Sequence, residues 1–149
     1  TNNIMTQNEK DLLLKDLCAR LPYGVICKDD YAKVEGKLVQ IGINYDMCLL
    51  SDDYGKTEFA YIPNCKPYLF PLSSMTGEQK YDFYCRFIEN DCDFDDFKEF
   101  YLDGGMWHKL LTSLDDIEAI IDWFNKNHLD YRGLIPMGLA IDATELNIY

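Results

Sequence analysis

The pattern of apolar and polar positions changes character three times along the chain. Thr6 and Glu9 stand at capping-box spacing, and behind them Leu12, Leu13, Leu14, Leu17, Cys18 and Leu21 recur at helical intervals with charges between them. A helix is predicted there, ending before Pro22. From Tyr23 to Leu72 the texture turns to short runs rich in Val, Ile, Tyr and Phe, broken by Asp29-Asp30, Glu35-Gly36, Asn44-Tyr45-Asp46, Asp52-Asp53-Tyr54-Gly55 and Pro63-Asn64. These breaks predict a β-meander with strands over 24–28, 37–43, 46–51 and 57–62, and an extended stretch over 67–70 between Pro67 and Pro71. Strands this short do not persist as a flat sheet with open edges, so the expectation is a small SH3-like barrel or a sheet packed under helices.

Thr76 with Gln79 repeats the capping spacing after Pro71 and opens a helix through Tyr81, Tyr84, Phe87 and Ile88. An acidic stretch from Glu89 to Asp96 leads to Phe94, Phe97, Phe100 and Tyr101, a short helix or turn before Gly104-Gly105. Ser113, Asp115 and Asp116 start the clearest helix, whose Leu114, Ile117, Ile120, Ile121 and Phe124 form the stripe expected to be buried, with Asp122 opposite. It frays at Asn127-His128, and a tail runs from Asp130 through Leu134, Pro136 and Leu139 to Tyr149. The predicted class is α+β in a single domain over 1–149, with an N-terminal helix and β-meander over 6–72 and a helical part and tail over 73–149.

Composition narrows the class of function. With 149 residues and 48% apolar side chains the chain can bury a core of its own and is far from a disordered composition. Lys plus Arg number 14 against 26 Asp plus Glu, a net charge of −12, which argues against direct nucleic-acid binding because that draws on clustered cations. The acidity serves solubility or a surface complementary to a basic partner, including a decoy for a nucleic-acid-binding protein. Six cysteines, Cys18, Cys27, Cys48, Cys65, Cys85 and Cys92, sit among apolar neighbours without a signal-peptide pattern, so reduced core thiols and a cytoplasmic location are expected. No apolar run approaches the roughly 20 residues of a membrane helix, and no membrane partner is expected.

Few motifs carry chemistry. Asp91, Asp93, Asp95 and Glu99 fall at positions 1, 3, 5 and 9 of a calcium loop, but Asp96 replaces the turn glycine and Leu102 the bidentate glutamate. A solvated acidic turn is the expectation, and no metal is assigned. No cysteine pair has zinc-knuckle spacing, and Asp103-Gly104-Gly105-Met106 lacks a phosphate-loop frame, so no cofactor is implied. A Cys/His pair assembled in space from His108 or His128 is the enzymatic alternative. The binding candidates are Trp107, His108, Tyr131 and Arg132, next to Gly104-Gly105 and Gly133, because Trp, Tyr and Arg supply most interface anchor energy. The competing expectation buries Trp107 and Tyr131 and pairs Arg132 with an acid.

Three phrases, Leu21-Pro22-Tyr23-Gly24-Val25, Lys66-Pro67-Tyr68-Leu69-Phe70-Pro71-Leu72-Ser73-Ser74-Met75-Thr76, and Asp122-Trp123-Phe124-Asn125 with Asp130-Tyr131-Arg132-Gly133-Leu134-Ile135, resemble an uncharacterised family frequent in Bacteroidales gut bacteria, their prophages and mobile elements. The resemblance supplies no catalytic residue. It implies a small intracellular accessory protein of phage or mobile-element type, non-catalytic, that binds or regulates a host or phage protein. A nucleic-acid mimic or nucleic-acid-associated factor is the second expectation, and an enzyme the third.

Overall fold

A computed structural model describes residues 4–87, 93–105, 107 and 117–149. They form two compact units, one holding the described residues up to Leu72 together with Phe124–Tyr149, the other those from Ser73 to Trp123. The class is α+β, as the sequence pattern predicts.

In the first unit, Thr6 caps helix α1 (Gln7–Arg20) reciprocally. Its Oγ1 accepts the Glu9 N–H at 3.2 Å, and the Glu9 carboxylate accepts the Thr6 N–H at 3.2 Å. Leu21-Pro22-Tyr23 tightens into a 3-10 turn, and Gly24, at φ 70°, releases the chain into β1 (Ile26–Asp29). The Asp29 carboxylate accepts the N–H groups of Tyr31 and Ala32, both at 3.0 Å, so the chain turns over 30–33 and enters β2 (Val34–Gly42). The break expected at Glu35-Gly36 is therefore strand: Gly36 pairs with Cys27, and a Cβ there would run into the Ser51 carbonyl. A bulge between Leu38 and Gln40 leaves Val39 exposed. Asp52 Oδ1 accepts the N–H groups of Tyr54 and Lys56, both at 2.9 Å, in the turn joining β3 (Met47–Ser51) to β4 (Thr57–Tyr61). A 3-10 turn at Ile62–Asn64 then leads to β5 (Cys65–Pro71).

The strands run in the order β4-β3-β2-β1-β5, each neighbour antiparallel. The predicted tail belongs to this unit, where β6 (Leu129–Asp130) and β7 (Ile141–Asp142) add to β5 in parallel. The path is open, and the barrel closure expected from the meander is not among its pairings. Cys27 faces Pro67 in the β1–β5 ladder, which would put Ile26 opposite Tyr68. The Tyr149 hydroxyl occupies that position, accepting the Ile26 N–H at 3.0 Å and donating to the Tyr68 carbonyl at 2.8 Å. Leu13 and Leu17 of α1 pack with Val25, Leu38, Leu50, Leu69, Leu134 and Leu139 in the core. Each such leucine contributes roughly 1.5–3 kcal/mol by leaving water. Cys27, Cys48 and Cys65 are buried here as expected, whereas Cys18 is exposed on α1 and Cys92 lies outside the described residues.

In the second unit, Thr76 and Gln79 form the predicted capping box of α2 (Gly77–Phe87). Asp93 accepts the Asp96 N–H at 2.9 Å as the N-cap of the short α3 (Phe94–Phe97), which continues into a π-helical turn at Lys98–Asp103; Asp91 of the calcium-loop pattern lies outside the described residues. Phe83 packs against the rings of Phe87, Trp107 and Trp123 at 4.9, 5.7 and 5.2 Å. The last helix, α4 (Ile117–Lys126), crosses the boundary between the units, and its buried stripe differs from the predicted one. Ile117 is 64% exposed, Leu114 lies outside the described residues, and the side chains that this helix buries within the second unit are Ile120 and Trp123. The Trp123 indole, donating to Asp82 at 3.0 Å and packed on Phe83, turns the stripe away from Ile117. Among the described residues, no helix is long and apolar enough to cross a membrane.

Candidate functional site

The inward face of α1 carries Leu13, Asp16, Leu17 and Arg20, so an ion pair shares the apolar stripe. Asp16 and Arg20 are both 0% exposed, with Arg20 Nε donating to Asp16 Oδ2 at 2.8 Å. Arg20 Nη2 donates to the Leu129 carbonyl of β6 at 2.7 Å, binding the helix to the returning strand. Arg132 Nε stands 3.3 Å from Asp16 Oδ1, an ion pair without hydrogen-bond alignment. Burial pushes the Asp16 carboxyl up from the ordinary aspartate value, against the pull of Arg20 and Arg132. Asp130 accepts the N–H groups of Leu134 and Ile135 at 2.8 and 2.9 Å and shapes the turn that presents Arg132.

The four residues singled out for binding divide between the units. Trp107 is 6% exposed and packs on Phe83 and Phe97 of the second unit, with Lys80 Nζ 5.7 Å from its ring, so it is no surface anchor. His108 lies outside the described residues. Tyr131 and Arg132 are brought together in the first unit, half-buried, with Arg132 Cζ 4.9 Å above the Tyr131 ring and Nη2 donating to its hydroxyl at 3.0 Å. Arg20 approaches the same ring at 5.2 Å. Tyr131 and Arg132 thus pack against the buried ion pair.

Of the ingredients of a Cys/His site, Cys48, Cys65 and His128 are all buried or half-buried, while His108 and Cys92 lie outside the described residues. The hydrogen bond to Cys65 and burial push the Cys48 thiol up, and Cys65 is pushed up as well, first by its hydrogen bond to Cys27. His128, at φ 57°, stacks on Tyr149 with ring centroids 3.7 Å apart. Burial, then the charge of Arg20, lowers its pKa to about 4.

Outward-facing residues of the first unit offer more. A cleft of about 1030 Å³ is lined by Tyr31, Tyr61, Pro63, Asn64 and Met137, with Glu9, Lys10, Asp30 and Lys66 supplying charge. A second, apolar hollow of about 370 Å³ lies among Gln40, Tyr45, Met47, Leu49 and Phe59. Tyr31 is 88% exposed and Phe59 67%, and exposed Tyr61 and Tyr45 share the cleft and the hollow with them respectively. In the sequence pattern these residues fall in strands and turns. The signal that marks them is alternation: Phe59 and Tyr61 flank the buried Ala60.

Removing one member of the buried pair leaves an uncompensated charge, so Asp16→Ala should lower unfolding free energy by about 3–5 kcal/mol. Lys56→Ala, which breaks the exposed 3.6 Å pair with Glu58, should cost less than about 1 kcal/mol. Denaturant titration of both variants checks this contrast.

The folded pKa of His128, about 4, lies below the unfolded value near 6.5, so protonation favours the unfolded chain. Its contribution is present above pH ~6.5 and lost as pH falls toward about 4. His128→Asn, which tolerates the left-handed backbone, should show a smaller fall in Tm over that window than the wild type when the two melting profiles are compared.

No protein-family model, curated protein sequence or solved structure matches the chain.

Proposed function

We propose that the chain is a non-catalytic protein-interaction module of phage or mobile-element type, acting in the cytoplasm on a host or phage protein. One observation carries the reading: among the described residues, exposed aromatic side chains concentrate on the first unit, where Tyr31 and Tyr61 border the cleft and Tyr45 and Phe59 the hollow. Scattered surface apolar residues need no explanation, but a concentration beside concave surface is the composition of a recognition face. The resemblance to Bacteroidales phage and mobile-element proteins supports the choice of partner, and the net charge of −12 favours a basic one.

The finer SH3-like reading of the sheet belongs to the same proposal. It is supported by β1 lying between β2 and β5 and by the 3-10 turn joining β4 to β5. Sγ atoms of Cys48 on β3 and Cys65 on β5 lie 3.9 Å apart, which requires strong curl between strands distant in the sheet order.

The test is capture of partners from the native host by tagged full-length chain, followed by affinity measurement with the purified partner. Replacing Tyr31 and Phe59 together by Ala should weaken binding by more than about 1 kcal/mol with Tm unchanged. Undiminished affinity in the double variant, or the absence of any specific partner, contradicts the reading.

A further inference from the structure

β4 is an outer strand of the sheet path, and two backbone bonds fix which of its groups face outward. Asp52 N–H donates to the Lys56 carbonyl at 2.9 Å, and Ile62 N–H donates to the Asp46 carbonyl at 2.7 Å. By alternation, the backbone groups of Glu58 and Ala60 turn toward β3, and those of Thr57, Phe59 and Tyr61 turn away from it. Asp29 Oδ2 takes the Tyr61 N–H at 3.2 Å. The amides and carbonyls of Thr57 and Phe59 face the open edge, and both residues are exposed. No proline or bulge blunts this strand, and its flanking Lys56 is tied to Glu58 at 3.6 Å.

Side chains and charge identify what fits there. Phe59, Leu49 and Gln40 align across β4, β3 and β2 and wall the 370 Å³ hollow, so apolar side chains on an added strand would lie against Phe59. Between residues 46 and 61 the chain has Asp46, Asp52, Asp53 and Glu58 but a single cation, Lys56. A second copy is a poor occupant. Each chain carries −12, and the antiparallel register that sets Thr57 against Phe59 of a copy also sets Glu58 against Glu58.

We propose that the free edge of β4 accepts an extended, basic segment of a partner protein as an added strand, hydrogen-bonded through Thr57 and Phe59. The proposal rests on the interaction-module reading and names its binding mode. Main-chain bonds give such a complex affinity, while alternate side chains give specificity.

The probe is a synthetic peptide alternating Lys and Val, with a peptide alternating Glu and Val as control, titrated into the full chain with amide exchange read by NMR. The Lys/Val peptide should slow exchange at Thr57 and Phe59 by at least ~10-fold, and added salt should weaken its binding. The Glu/Val peptide should not bind. Thr57→Pro deletes one edge donor at the first position of the strand, where proline is tolerated, and should weaken the Lys/Val peptide by at least ~10-fold. Where that variant does not fold, the exchange result on the wild type decides. No binding by the Lys/Val peptide, binding without protection at Thr57 and Phe59, equal binding by both peptides, or protection of these amides by self-association overturns the proposal. A captured host partner that loses affinity on Tyr31/Phe59 replacement yet binds folded Thr57→Pro undiminished overturns the edge and leaves the module reading standing. The absence of any specific host partner overturns the module reading itself.

Discussion

The ion pair of Asp16 and Arg20 is the constraint on which the first unit turns. Two charges placed wholly out of water on a helix face incur a desolvation cost that their mutual attraction alone does not repay. The surroundings supply further partners: the Leu129 carbonyl for Arg20, and the Arg132 guanidinium beside Asp16. Both come from the segment that returns after α4. From Leu129 the connection passes to the sheet, because the neighbouring His128 carbonyl accepts the Phe70 N–H at 2.8 Å and its ring stacks on Tyr149. The charge on α1 thus sets where β6 and the Tyr149 ring lie against β5.

The same economy recurs at the other buried aspartates. Asp29 satisfies backbone N–H groups in the first hairpin and reaches Tyr61 at the end of β4, while Asp130 satisfies two in the turn before Leu134. A buried carboxylate whose oxygens are filled by N–H donors is tolerable in a core, and it fixes turns that no apolar side chain would fix. The first unit therefore buries the carboxylates of Asp16, Asp29 and Asp130 while leaving the rings of Tyr31 and Phe59 outside. Tyr31 and Phe59 stay at the surface and take no part in the core, the arrangement on which the proposed recognition role rests.

Local signals were legible in the sequence wherever the cause is local. Thr6 with Glu9 and Thr76 with Gln79 cap helices as their spacing predicts, and the runs around Cys48 and Ala60 are strands. Gly36 was misleading because a glycine that avoids the Ser51 carbonyl inside a sheet reads like one that makes a turn. The two-residue strands β6 and β7 carry no periodicity, since their partner β5 lies far away in the chain. The burial of Asp16 and Arg20 has no local signal because it depends on Leu129 and Arg132, more than a hundred residues on. Trp107 and Arg132 have the composition of anchors, but neighbours distant in sequence draw them into packing, and the exposed rings lie on β4 and in the turns between strands.

The most direct measurement of the role of Arg20 is amide exchange in Arg20→Met, which keeps the bulk and removes the charge. If Arg20 holds the returning segment on β5, the Phe70 and Ala143 amides, bonded to His128 and Leu69 carbonyls, should exchange at least ~10-fold faster, relative to wild type, than any change at Ile62, bonded to Asp46. Equal changes at all three amides, or none, would show that the returning segment is held without the buried charge.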